Sequence, residues 1–180
     1  MRWLARHYRL CTSTERAATK VLDIGCGAGA AARYLLAEGF SVCAVDGAPS
    51  AVQRLRAAVQ QYGDRAGVIE ADMTELPLLD ANYDAAVDIV GMAHNGLEDC
   101  RAALAEVARV LKPGARLFAV WPSDRCARAA YAGKGAVTFL ARGDVIAFYE
   151  PYFSIRLGWS AFADDGQTTY HHWLVDARRA

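Results

Sequence analysis

The chain has 180 residues, enough for one domain with a full core and too few for a second domain beside it. Hydrophobic residues make up 54% and charged residues 22%, with 15 Gly and 5 Pro, which excludes disordered, collagen-like and low-complexity classes. The 20 Lys+Arg cancel the 20 Asp+Glu, so no basic field steers the chain onto nucleic acid, and no apolar run reaches the ~20 residues that span a bilayer.

Residues 1–20 carry Arg2, Arg6, Arg9, Arg16 and Lys20 against Glu15 alone, and arginines interrupt any secretory signal. Trp3, His7 and Tyr8 recur at helical spacing, so this stretch reads as an N-terminal lid segment ahead of a single domain over 21–180. From residue 20 onward, short β-branched runs alternate with helical stretches, the pattern of an α/β, Rossmann-like, doubly wound and mostly parallel sheet. A first strand over 20–24 ends in a glycine turn over 25–29, and a helix over 30–38 closes at Gly39. A second strand over 41–45 ends at Asp46. Ser50 with Gln53 then forms a capping box for a helix carrying Val52, Leu55, Val59 and Tyr62 on one face, up to Gly63.

A third strand runs to about Ala71. A fourth, over 84–90, is apolar except for Asp88, as expected where helices cover both faces. Asn95 with Glu98 caps a helix with an apolar stripe of Leu97, Cys100, Leu104, Val107 and Leu111, stopped by Lys112, Pro113 and Gly114 before a fifth strand over 116–121. Residues 122–150 hold one or two helices, the second from Asp144. The tail alternates through Ile155, Leu157 and Trp159, turns at Asp165 and Gly166, and returns over 168–177, which makes a C-terminal antiparallel hairpin.

Glycines after a strand let backbone N–H groups and a helix start approach a ligand closely. Gly25, Gly27 and Ala30 with Asp46 downstream would suit a dinucleotide, but Asp23 stands where a pyrophosphate would be repelled and an ammonium attracted. The charge at this position favours a ligand with a ribose and a cationic end. The five cysteines (Cys11, Cys26, Cys43, Cys100, Cys126) are scattered with no C-x-x-C pair, which argues for reduced thiols in a cytoplasmic protein and against a zinc site. His171 and His172 point to opposite faces of a strand, so no metal site is indicated.

The motif V-L-D-I-G-C-G-A-G at 21–29, V-D at 45–46, E-A-D at 70–72 and E-V-A-R-V-L-K-P-G at 106–114 together resemble class I S-adenosylmethionine-dependent methyltransferases of the small-molecule type. The resemblance spans about residues 20–121 and implies a seven-stranded sheet whose last strand is antiparallel, in agreement with the hairpin. It implies S-adenosyl-L-methionine as cofactor, with Asp23 and the backbone of Gly25, Cys26, Gly27 and Gly29 facing its methionine part. Asp46, beside Gly47, would accept the ribose hydroxyls, Asp72, beside Met73, would meet the adenine amino group, and Asp88 would fall near the sulfonium. His94, in the loop after the fourth strand, is the candidate proton acceptor.

The chemistry expected is in-line transfer of a methyl group to a small-molecule acceptor, with neither nucleic acid nor membrane as partner. The sequence leaves the acceptor and the oligomeric state undetermined. Two other readings stay open: a non-catalytic S-adenosylmethionine-binding subunit and an NAD(P)-dependent oxidoreductase.

Overall fold

The computed structural model describes residues 7–126, 137–163 and 169–180. Its strands are β1 (Lys20–Ile24), β2 (Ser41–Asp46), β3 (Ala66–Glu70), β4 (Tyr83–Ile89), β5 (Leu111–Pro122), β6 (Phe153–Ala163) and β7 (Thr169–Arg179). They form one sheet in the order β3-β2-β1-β4-β5-β7-β6, parallel from β3 through β5, with β7 antiparallel to both of its neighbours. The seven-stranded α/β architecture and the terminal hairpin are as the sequence implies; residues 165 and 166, expected at its turn, lie outside the described residues. Among the described residues, no helix is long and apolar enough to cross a membrane.

The helices are α1 (Ser13–Ala18), α2 (Ala30–Ala37), α3 (Pro49–Val59), α4 (Leu97–Val110) and α5 (Arg142–Tyr149). Alternation along the strands sends Val21, Ala85 and Val87 to one face, where they bury with Leu35, Leu36 and Leu55 of α2 and α3. Leu22, Ile24 and Ala86 go to the other face and bury with α4 and α5, including Leu104, Val107, Val145 and Tyr149. The order reverses between β1 and β4, which leaves a crevice at their carboxyl ends.

Both expected helix caps are corrected by the structure. Helix α3 starts on Pro49, with Ala48 at its N-cap and no side-chain cap, because the fixed φ of proline already suits the first turn. Gly96, and not Asn95, is the N-cap of α4, and Asn95 instead closes the short 3-10 turn Met92–His94. Strand β5 begins at Leu111, earlier than expected: Leu111 pairs with Tyr83 and Arg116 with Ala85, so residues 112–115 bulge out around Gly114 at φ 75°. Helix α5 starts two residues before Asp144.

Of residues 1–20, only those from His7 are described, so Trp3 lies outside. The described part lies against the amino ends of the strands: Tyr8 meets Phe40 edge-on at 5.4 Å, and the Ser41 hydroxyl donates to the Ala17 carbonyl at 2.6 Å.

Gly29 has φ 79°, and an added Cβ would overlap the Leu55 side chain between α2 and α3. Gly29→Ala should therefore lower stability by at least about 1–2 kcal/mol, the cost of left-handed backbone alone. Urea unfolding measures this; an unchanged midpoint would contradict the packing described.

Candidate functional site

A cleft of about 770 Å³ opens at the β1–β4 crevice, lined by the glycine turn, the ends of β2 and β3, and the turn after β4. Gly25, Cys26, Gly27, Asp46, Gly47, Asp72, Met73 and His94 all line it, so eight of the residues expected at the site meet there. Gly25 and Gly27 have φ 63° and 52°, a left-handed backbone open to glycine at little cost. A Cβ added at Gly25 would fall 2.6 Å from the Gly91 Cα, and one added at Gly91 would fall 2.6 Å from the Ile24 carbonyl oxygen. The loops after β1 and β4 can cross this closely only as two glycines. A Cβ at Gly27 would meet nothing within 4 Å and would project into open space.

Asp46 ends β2, and its carboxylate receives the Gly27 N–H at 2.7 Å on Oδ2 and the Ala48 N–H at 2.8 Å on Oδ1. Each oxygen keeps a second acceptor position. Asp72 receives both the N–H and the hydroxyl of Thr74 on Oδ1, each at 2.8 Å, and these bonds hold its carboxyl below the ordinary range. Its other oxygen accepts no hydrogen bond among the described residues. The loop that carries Asp72 is clamped by the motif at 106–109: Glu106 accepts the Leu76 N–H at 2.8 Å, and Arg109 donates to the Leu76 and Leu78 carbonyls.

Asp23 and Asp88 do not line the cleft. They are 1% and 0% exposed, on opposite faces of the sheet behind it. Asp23 accepts the Ala32 N–H in the first turn of α2, and Oδ2 has no partner. Burial pushes its carboxyl up to about 7, with Asp88 and Asp46 adding smaller repulsion. Asp88 also rises to about 7 through burial, while Oδ1 accepts the Met92 N–H at 3.1 Å and fixes the turn that presents His94. Asp88 thus stands one layer below the lining of the cleft, under the turn at Gly91. Burial likewise pushes the Cys26 thiol up to about 12, which leaves it un-ionised and non-nucleophilic.

His94 is exposed at the rim. Asn95 donates to the Met73 sulfur at 3.4 Å and to the Met92 carbonyl, tying the loop after β3 to the turn after β4. Glu70, Val90, Gly91 and Asn95 also line the cleft, beyond the site residues expected from the sequence. Val90 has φ 66°, a conformation that no local sequence signal announces in a β-branched residue.

Among the described residues, Asp46, Glu70 and Asp72 line the cleft and no Lys or Arg does. Such a lining repels a pyrophosphate and attracts a cation. A ligand with a ribose and a cationic end fits this acidic lining; a dinucleotide does not.

A family profile described as a methyltransferase domain matches residues 21–114. An uncharacterized methyltransferase of Mycobacterium tuberculosis is 42% identical over 105 residues, 58% of this chain and 40% of that protein. A sarcosine/dimethylglycine N-methyltransferase of Aphanothece halophytica is 30% identical over 175 residues, 93% of this chain and 61% of that protein. The chain thus spans less than two thirds of the length of these relatives. The crystal structure of a SAM-dependent methyltransferase from Methanosarcina mazei superposes with a TM-score of 0.77 at 18% identity over 89% of this chain and 92% of the other, which shows the shared fold.

The two buried carboxyls set a pH dependence. In the folded chain they hold protons up to about 7, whereas unfolded they release them near 3.8, the ordinary value of an aspartate. Between these values the native state binds more protons, so stability is highest at the acid end and falls as pH rises toward about 7, flattening above it. Urea midpoints from about pH 5 to about pH 8 should decline in this way, and Asp23→Asn and Asp88→Asn should each shrink the decline. A flat wild-type profile would refute the assignment.

Proposed function

The chain belongs to the class I S-adenosylmethionine-dependent methyltransferases, and from that premise we propose that it methylates a small-molecule acceptor held over the cleft. The observation that carries the reading is the Asp46 carboxylate, anchored by the Gly27 and Ala48 N–H groups at the mouth of a crevice lined by acids and by no cation among the described residues. S-adenosylmethionine, when bound, supplies a methyl group on a sulfonium, activated for in-line displacement. Asp46 takes the ribose hydroxyls and Asp72 the adenine amino group. The backbone of residues 25–29 lies along the methionine part, with the buried Asp23 beneath it. Asp88 holds the turn at Gly91 and Met92, and so fixes the wall against which the acceptor aligns.

His94 stands at the rim as the proton acceptor for an acceptor atom that must lose a proton. The similarity to a sarcosine/dimethylglycine N-methyltransferase supports an acceptor of small-molecule size. Five free cysteines support a reducing, cytoplasmic location, and zero formal net charge supports a substrate other than nucleic acid.

Calorimetric titration with S-adenosylmethionine, its demethylated product and NAD tests the donor assignment: the first two should bind and NAD should not. Radiolabelled methyl transfer to a panel of small amines, phenols and carboxylates then identifies the acceptor. Asp46→Ala should weaken binding of the donor at least tenfold, about 1.4 kcal/mol, through loss of charge-assisted hydrogen bonds. Donor affinity unchanged in that variant would overturn the pocket assignment. With an acceptor that loses a proton, His94→Gln should lower turnover by about 10²-fold while donor affinity stays the same.

A further inference from the structure

A second concavity, of about 320 Å³, lies on the sheet surface over β5, β7 and β6 and shares no residue with the methyl-transfer cleft. Its walls carry Arg116, Arg156 and Arg178 with Ser154, Ile155 and a single acid, Asp176. The strand register explains the crowding. Arg116 of β5 stands directly opposite Arg178 of β7, and Arg156 of β6 lies in the adjacent row opposite Asp176. Like charges directly across an antiparallel pair cost stability, so this arrangement is unfavourable unless something neutralises it.

The protein's own groups do so only in part. Asp176 receives an Arg116 N–H at 3.1 Å, and Arg178 donates Nε–H to the Gly114 carbonyl at 3.3 Å, a neutral partner. Arg156 forms no ion pair among the described residues and is exposed. His7 approaches Asp176 at 3.9 Å, but burial and the neighbouring Arg116 lower its pKa, so it brings little charge of its own. Three guanidiniums against one carboxylate leave two uncompensated positive charges.

We propose that this groove binds a phosphate-type dianion, free or carried on a larger molecule, through Arg156 and Arg178 with Arg116 behind them. A phosphoryl group carries close to two negative charges at neutral pH, and the planar guanidinium fork matches its oxygens two at a time. The position, near the amino end of β5, is remote from the carboxyl-end cleft, so occupancy is separable from methyl transfer.

The full chain is titrated with inorganic phosphate and with pyrophosphate at constant ionic strength, with sodium acetate as control, by calorimetry and by thermal unfolding. Saturable binding of phosphate or pyrophosphate that raises the unfolding midpoint, with acetate inert, is expected. Arg156→Ala and Arg178→Ala should each weaken it at least tenfold while leaving S-adenosylmethionine affinity unchanged. Arg116→Ala is avoided because it also breaks the bond to Asp176. Absence of saturation, an equal response to acetate, or unaltered phosphate binding in both variants would overturn the proposal. Retained phosphate binding alongside failure to bind S-adenosylmethionine would instead remove only the cleft assignment.

Discussion

The site depends on one backbone contact, the crossing of Gly25 over Gly91. Neither position has room for a Cβ, and the crossing joins the two central strands at the point where the strand order reverses. The contact has a cost beyond the glycines. Val90, just before it, takes a left-handed conformation that is unfavourable by about 1–2 kcal/mol for a residue with a Cβ. The Val90 N–H bonded to the Val120 carbonyl at 3.1 Å and the Asp88 carboxylate bonded to the Met92 N–H offset this strain. The turn bearing His94 is therefore a built wall of the cleft.

The carboxylates divide into two layers with different electrostatics. Asp46 and Asp72 meet solvent and the cleft, and backbone N–H donors hold each of them in place. Asp23 and Asp88 lie behind, each with one oxygen bonded to the backbone and the other without a partner. The outer layer shapes contacts with a ligand, while the inner layer supports the loops. A buried carboxylate with an unused oxygen is costly to keep, and both are kept directly beneath the turns that form the cleft.

Much of this was legible in the sequence because its signals are local. The apolar runs of β1 and β4, the glycines at 25, 27 and 29, and the alternation in β6 and β7 each report a backbone state that the fold adopts unchanged. Caps were less legible. Ser50 and Asn95 have the right side chains at the right spacing, yet Pro49 and Gly96 start those helices through backbone geometry, leaving the side chains free for other bonds. Asp23 and Asp88 were identified as site residues without their depth, since pattern shows the face of a strand but not how far a loop folds over it. The places of Val90 and Asn95 in the cleft are not legible because they arise from contacts across the chain, with Val120 and Met73 respectively.

The placement of β7 bears on how the chain assembles. Residues 169–179 insert between β5 and β6 and pair with both, so until they arrive on the ribosome each of those strands presents an open edge. A nascent chain can close the glycine turn and the β4 crossing early, but the sheet is complete only when this late segment slots into its interior. Premature termination upstream of it would expose two aggregation-competent borders at once while leaving the sequence of the cleft intact.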